Sequence, residues 1–93
     1  MAVLVELTYD GVTDENYDAM MPQVEPQLRA AAGFIAHLAV PTEQVWRVLE
    51  IWQSREAAEQ WLQETIRPMM DNAGGTFPSA TYTPIHHLVM ENP

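Results

Sequence analysis

The chain has 93 residues, of which 47% are hydrophobic, and a formal net charge of -9 at pH 7. This composition predicts one small folded domain rather than a disordered chain, and the acidic surplus disfavours nucleic acid and anionic membranes as partners, because phosphate binding requires a basic face. The absence of cysteine and lysine excludes disulfides, thiolate nucleophiles, iron-sulfur clusters, Schiff-base lysines and a P-loop.

The first predicted element is a β-strand near the amino terminus. Val3, Val5 and Leu7 alternate with more polar neighbours, and Asp10-Gly11 is typical of a turn that ends the strand. The first ten residues carry no basic flank and no long apolar run, so no signal peptide is predicted. We therefore expect a cytoplasmic protein.

A first helix is predicted to follow this turn. Thr13 is a suitable N-cap, and apolar residues then recur at helical spacing down to Gly33. Pro22 and Pro26 lie inside this pattern, and each removes an amide donor and crowds the preceding turn. We expect a kink, or two short helices with a break near Met21.

Two further strands are predicted at residues 34–40 and 45–52, joined as an antiparallel hairpin by the four residues 41–44. If Val40 faces Val45 across this loop, His37 faces Val48, and Glu50 is the diagonal neighbour of His37. One sheet face would then carry Ile35, His37, Trp46, Val48, Glu50 and Trp52, and the other would be aliphatic apart from Arg47. A bulge of one residue would reverse this assignment.

The carboxyl-terminal half predicts a second helix and a fourth strand. Ser54 is a good N-cap, and helical spacing runs from residue 55 toward residue 72, interrupted at Pro68 and ending at Gly74-Gly75. The last strand is predicted at residues 81–90, and Pro84 places it at a sheet edge or a bulge.

The order strand, helix, strand, strand, helix, strand favours an α+β, ferredoxin-like fold over the whole chain, residues 1–93. With right-handed crossovers, the compact solution is an antiparallel sheet of order 4-1-3-2 with both helices on one face. The second face of such a sheet needs a cover, and a two-fold partner that offers the same face would supply it. We therefore expect a homodimer.

The run GFIAHLAVPTEQVWRVLEIWQSREAAEQWL and the later PIHHLV resemble the antibiotic biosynthesis monooxygenase-like family of the dimeric α+β barrel superfamily. This resemblance implies a homodimeric barrel with one pocket per subunit between sheet and helices. It also implies a small-molecule enzyme, since family members include cofactor-independent oxygenases acting on phenolic polyketides, haem-degrading enzymes, and isomerases or cyclases. Many members carry a histidine in the second helix, where this chain has Trp61.

The candidate catalytic residues are His37, Glu50, Arg47 and His86. A neutral imidazole at His37 can accept a proton near neutral pH, and Glu50 could orient it, although both could equally be a structural pair on a half-buried strand. His86 is favoured over His87 by its place in PIHHLV. Arg47 is predicted either to pair across a dimer or to hold an anionic oxygen.

Aromatic side chains are the candidates for substrate binding, namely Trp61, Trp46, Trp52 and Tyr82, with core packing as the alternative role of each. No metal site is expected, because His37, His86 and Glu50 have no ligand spacing. The sequence thus favours a monooxygenase-like enzyme that uses no cofactor and deprotonates an aromatic or polyketide-like substrate. A cyclase or isomerase of the same fold, or a metabolite-binding protein, is the alternative.

Overall fold

A computed structural model describes residues 1–91 of the chain. The elements are β1 Val3–Tyr9, α1 Asp14–Ala30, β2 Phe34–Ala39, β3 Trp46–Trp52, α2 Arg55–Trp61, a π-helical turn Leu62–Ile66, α3 Arg67–Ala73 and β4 Ser79–Pro84. The strands form one antiparallel sheet of order β2-β3-β1-β4, which is the predicted order read from the other edge. The ferredoxin-like α+β fold is confirmed.

One face of the sheet packs against the helices and forms the core. Inward residues of β1 and β3 alternate with more exposed ones, as a pleated strand with one buried face requires. The helices contribute Val24, Leu28, Trp61, Leu62, Ile66 and Met70 to the same cluster. On the opposite face, Leu4, Leu49 and Ile51 are half-buried, and Leu38 is 50% exposed. Both helical segments therefore cover one face, as predicted.

Helix α1 is one continuous helix, so the expected break near Met21 is wrong. Thr13 accepts from the Asn16 amide and Asn16 accepts in return from the Thr13 amide, which completes a capping box. Pro22 and Pro26 are spaced by four residues, and both are exposed. Because they share the solvent side of the helix, water can satisfy the carbonyl groups that their missing amides leave free.

The second helical segment begins at the Ser54 N-cap, whose hydroxyl accepts from the Ala57 amide, and it ends at Gly74 with φ 72°. Its irregularity lies in the π-helical turn rather than at Pro68, where we expected it. Pro68 instead occupies the first turn of α3, where the lack of an amide costs little. The wider turn before it, closed by the Arg67 amide on the Leu62 carbonyl, removes the need for a break at the proline.

The hairpin register differs from the prediction by two residues. His37 lies directly opposite Glu50 rather than opposite Val48, because the connection is longer than four residues and Val40 bonds to Arg47. A shift of two residues keeps every side chain on its predicted face. A bulge between residues 34 and 36 reverses the assignment locally, so Phe34 rather than Ile35 faces Trp52.

Strand β4 ends at Pro84, so the predicted extension to residue 90 is wrong. Pro84 pairs with Val3, the first residue of β1, and one more bond joins the Ile85 amide to the Ala2 carbonyl. After this bond, residues 86–91 are irregular and exposed. Within the described part of the chain, no helix is long and apolar enough to cross a membrane.

We predict that Gly33→Ala destabilises the fold more than Gly11→Ala. Both glycines have positive φ, at 86° and 75°, which costs an alanine about 1–2 kcal/mol. At Gly33 a new Cβ would also lie 2.8 Å from the Cβ of Ala57, whereas nothing lies within 4 Å at Gly11. Urea unfolding should show an additional loss of at least about 1 kcal/mol for the Gly33 variant. Equal losses in the free energy of unfolding for the two variants would contradict the close packing of Gly33, just before β2, against Ala57 of α2.

Candidate active site

A small cavity lies between the core face of the sheet and the helices. Three of its residues are joined by hydrogen bonds, namely His37 of β2, Glu50 of β3 and Tyr17 of α1, and most of the remaining wall is apolar. The wall also includes Tyr9, Val12, Met20, Met21, Val24, Leu28, Trp46, Val48, Trp61, Ile66 and Met69. An apolar chamber with a few convergent polar groups is typical of a small-molecule site.

His37 and Glu50 form the centre of this site. They are cross-strand partners, and the Nδ1 atom of His37 lies 2.7 Å from Oε2 of Glu50. The Glu50 side chain is 4% exposed and the His37 side chain 17%. Because the carboxylate accepts a bond at this position, it places a proton on Nδ1 of the imidazole and fixes the ring orientation.

Two aromatic residues complete the hydrogen bonding of this pair. The indole Nε1 of Trp52 donates to Oε1 of Glu50 at 2.9 Å, so both carboxylate oxygens have a donor. The hydroxyl of Tyr17 lies 2.6 Å from Nε2 of His37, and the two rings stack with an interplanar angle of 12°. The result is a continuous chain of hydrogen bonds from Tyr17 through His37 and Glu50 to Trp52.

The direction of these bonds is set by the groups on either side of the imidazole, Tyr17 and Glu50. Burial, followed by the negative charge of Glu50, raises the pKa of Tyr17 above its ordinary value, so the phenol keeps its proton at neutral pH. Because the carboxylate of Glu50 can only accept, Nδ1 donates to it, and in the neutral imidazole Nε2 then accepts from the Tyr17 hydroxyl. In this state Nε2 of His37 carries the lone pair that can act as a base. The phenol of Tyr17 is hydrogen-bonded to that lone pair, in the place where a phenolic substrate would bind.

The cavity has little free volume in this structure. Its free space is about 30 Å³, which holds roughly two water molecules. Met20 and Met69 line both this cavity and an open surface cleft between α1 and α3. Methionine side chains are unbranched and adapt readily, so this wall is the part that an incoming aromatic ligand could most easily displace.

The other candidate residues lie elsewhere. Arg47 is on the opposite sheet face, 3.5 Å from Glu6, and His86 and His87 are exposed beyond the end of β4. The geometry therefore separates Arg47 and His86 from His37. They lie apart because strand residues of opposite parity face opposite sides, and because β4 stops at Pro84.

The predicted aromatic residues also divide into separate groups. Trp61 and Trp46 line the cavity. Trp52 is fully buried behind Glu50, to which it donates, and contacts Phe34 and Trp61. Tyr82 lies away from the cavity, beneath the guanidinium of Arg55 at 4.3 Å. Within residues 1–91, no cluster of three potential metal ligands occurs.

Besides Tyr9 of β1, Tyr17 is the polar residue of the cavity wall that the sequence pattern did not reveal. It reads as one more apolar position on the inward face of α1, at helical spacing from Met20 and Met21. The contact could have been suspected because Tyr17 lies near the start of a helix that packs over the strand carrying His37. Sequence alone does not define how the helix is rotated over the sheet, and that rotation decides the contact.

Similarity to known proteins is found in structure alone. No family model matches the chain, and no curated protein matches it. SnoaB, a cofactor-independent oxygenase from Streptomyces nogalater, superposes with a TM-score of 0.66 at 9% identity, covering 97% of both chains. A candidate antibiotic biosynthesis monooxygenase from Deinococcus radiodurans gives 0.59 at 12% identity over 100% of both chains.

The chain has the fold of these monooxygenase-like proteins. The haem degrader MhuD from Mycobacterium tuberculosis has the same fold, with a TM-score of 0.55 at 17% identity, and the match covers 97% of this chain and 100% of MhuD. The fold expected from the resemblance of GFIAHLAVPTEQVWRVLEIWQSREAAEQWL is thus confirmed. Because proteins with different reactions share it, the chemistry of this chain has to be argued from its own residues.

We predict that the protein loses stability as the pH rises above about 10. Burial is the largest cause that raises the pKa of Tyr9, Tyr17 and Tyr82. A phenol whose pKa is raised by folding stabilises the fold below its unfolded value, near 10, and this stabilisation is lost as the pH climbs through the folded value. Tyrosinate absorbance should therefore appear together with loss of circular dichroism. Ionisation of all three tyrosines near pH 10 in a fully folded protein would contradict this.

Proposed function

We propose that the protein is a small-molecule enzyme in which His37 removes a proton from a phenolic or similarly activated substrate. The observation that carries this proposal is the hydrogen-bond chain in which Glu50 holds Nδ1 of His37 and a phenol occupies Nε2. A base of this kind needs a fixed orientation, an available lone pair and a position in a ligand chamber. His37 has all three.

The roles of the neighbouring residues follow from their contacts. When Nε2 takes the substrate proton, the imidazole becomes positively charged, and the buried carboxylate of Glu50 at 2.7 Å stabilises that charge. Trp52 keeps the carboxylate in place through its second oxygen. The substrate hydroxyl takes the position that the Tyr17 hydroxyl holds in this structure, so Tyr17 must turn away as the ligand enters.

The walls of the cavity support an aromatic substrate. Trp46 and Trp61 offer flat surfaces on which a ring can stack, and the three methionines of the lining adapt to its outline. Deprotonation raises the electron density of such a ring. The resulting phenolate could then transfer an electron to dioxygen, which is the reaction class suggested by the fold shared with the oxygenase SnoaB. A polyketide-like phenol meets these requirements.

The same base would also serve a cyclase or isomerase that consumes no oxygen. In that reaction the proton removed by His37 is returned to another atom of the substrate, and no electron acceptor is needed. An oxygen electrode separates the two reactions once a substrate is converted. Consumption of one dioxygen per product supports the oxygenase, and a flat trace supports the cyclase or isomerase.

Haem does not fit this site as well as a neutral phenol does. Within the described chain, no arginine lines the cavity to pair with haem propionates. We therefore expect no shifted Soret band when haemin is added.

We propose that the protein works as a homodimer in the cytoplasm, with the uncovered sheet faces of two protomers packed together. This face carries half-buried Leu4, Leu49 and Ile51 beside the exposed Leu38. Arg47 and Glu6 lie on it as a loose pair at 3.5 Å, and the Nε atom of Arg47 is buried with no partner among the described residues. Arg47 would then pair across the interface, which is one of its two predicted roles.

We predict that His37→Ala and Glu50→Gln each reduce turnover by roughly 100-fold or more, because positioned acid–base groups contribute that much. Substrate binding should change far less. The matched controls are His86→Ala and His87→Ala, which remove exposed imidazoles outside the cavity. Turnover measured by product formation should be unchanged in both controls. Full activity of the His37 variant, with its fold intact, would contradict the assignment of the base.

We predict that Leu38→Glu converts the dimer into a monomer, because it places a charge on the apolar face that the dimer would bury. The control Ala30→Glu adds the same charge at an exposed position of α1 and should leave the dimer intact. Analytical ultracentrifugation distinguishes the two. A monomeric wild-type protein, or a Leu38 variant that remains dimeric, would contradict the proposed interface.

A further inference from the structure

The three tyrosines of the chain differ in what can take their phenolic proton. Tyr17 and Tyr82 are both half-buried, and Tyr9 is 9% exposed. The Tyr17 hydroxyl lies 2.6 Å from Nε2 of His37. No hydrogen bond joins the hydroxyl of Tyr9 or Tyr82 to another residue of the described chain. Tyr82 can give its proton only to water, which is a far weaker base than an imidazole, so Tyr17 is the tyrosine with a protein base beside it.

A base at this position decides how readily a phenol gives up an electron. A phenol that lost one electron and kept its proton would be a cation, and an unpaired charge in a partly buried site is costly. Transfer of the proton to a base within hydrogen-bond distance avoids that cation. At Tyr17 the proton has only to pass from the phenol oxygen to the bonded nitrogen of His37. The electron and the proton can therefore leave together.

The charges around the imidazole favour the same step. Nδ1 of His37 lies 2.7 Å from the carboxylate of Glu50, so an imidazolium formed at His37 is paired at once. Before the electron leaves, the group of Tyr17, His37 and Glu50 carries one negative charge, and afterwards it carries none. Removal of an electron from a negatively charged, partly buried cluster lowers its electrostatic energy. No unpaired charge remains in the site after the step.

The position of the Tyr17 ring determines which oxidants can reach it. Tyr17 is half-buried, whereas Trp46, whose ring centroid lies 4.9 Å from that of Tyr17, is 7% exposed. An oxidant in solution therefore meets Tyr17 before it meets the indole, and a radical formed on the indole has Tyr17 as its neighbour. The net charge of -9 repels anionic oxidants such as superoxide. A neutral organic radical is not repelled.

We propose that Tyr17 is a redox-active tyrosine, which gives one electron to an organic peroxyl radical while its proton passes to His37. The phenolic O–H bond breaks, and an N–H bond forms at Nε2. The peroxyl radical takes the electron and becomes a hydroperoxide anion, which takes a proton from water. The protein is left with a neutral tyrosyl radical and an imidazolium paired with Glu50. This activity goes beyond the proposed function and belongs to the protein without substrate, because it uses the bond that a substrate would replace.

Flash oxidation of the protein identifies the tyrosine. The oxidant is ruthenium(III) tris-bipyridine, generated by a laser flash in the presence of a cobalt(III) ammine quencher, and the radical is recorded by electron paramagnetic resonance after rapid freezing. The wild-type protein should give a tyrosyl radical, and Tyr17→Phe should lose most of this signal. Tyr82→Phe is the matched control, because it removes the same atom from an equally half-buried ring, and it should keep the signal.

The role of the imidazole is tested by the rate at which the radical forms. His37→Gln should slow its formation at least about tenfold, as the loss of a positioned base does. Glu50→Gln should slow it as well, because the amide does not pair with an imidazolium. Formation in the wild-type protein should also be slower in D₂O than in H₂O. Peroxyl radicals from the thermal decay of an azo initiator in aerated buffer should be consumed faster by the wild-type protein than by Tyr17→Phe.

Several results would overturn the inference. These are a radical on tryptophan alone, a tyrosyl signal that survives in Tyr17→Phe or disappears in Tyr82→Phe, equal rates in D₂O and H₂O, or equal consumption of peroxyl radicals by the wild-type protein and Tyr17→Phe. Unchanged rates in folded His37→Gln and Glu50→Gln would also overturn it. If neither of these two variants folds, the tyrosine variants and the solvent isotope effect decide. None of the assays contains a substrate, so failure of the proposed function leaves their outcome unaltered.

Discussion

Burial of the Glu50 carboxylate on the core face of β3 governs how the whole site is arranged. A buried carboxylate is tolerated when its oxygens are hydrogen-bonded, and here the donors are the indole of Trp52 and the imidazole of His37, at 2.9 Å and 2.7 Å. No arginine contributes to this arrangement within residues 1–91. The stabilisation of Glu50 thus depends on an imidazole, which is also the group best suited to acid–base chemistry near neutral pH.

The backbone irregularities of the fold lie next to this site. The bulge near Ile35 rotates the start of β2 so that Phe34 packs against Trp52, while His37 remains opposite Glu50. The π-helical turn follows Trp61 directly and ends at Ile66, and both of these residues line the cavity. Bulges and π-turns frequently occur at functional sites, because they redirect a few side chains without changing the surrounding elements. Here they shape the two walls of one chamber.

Much of this architecture could be predicted from the sequence, because alternation and helical spacing record which face of each element is buried. Those patterns placed His37, Trp46 and Glu50 on one sheet face, and they gave the strand order. They could not fix contacts that depend on rotation or exact register. The cross-strand pairing of His37 with Glu50 required the true length of the hairpin connection, and the Tyr17 contact required the rotation of α1.

Other differences have similarly local causes. Pro84 was predicted within a longer strand, but the pairing with β1 ends at Val3 with one further bond to Ala2, and the histidines that follow are exposed. The two prolines of α1 did not break the helix, since both face water. The effect of a proline in a helix therefore depends on which side of the helix it occupies. The effect of a proline in a strand depends on where the pairing with the neighbouring strand ends.

The measurement that tests the central claim most directly is the tautomer of His37, read from long-range nitrogen–proton correlations in ¹⁵N-labelled protein at about pH 8, where imidazoles are mainly neutral. We expect His37 to carry its proton on Nδ1, with the Nε2 resonance shifted by Tyr17→Phe. The exposed His86 and His87 provide internal references in the same spectrum. A proton on Nε2 of His37, or a spectrum indistinguishable from those two histidines, would contradict the bond to Glu50 and the role of His37 as a base.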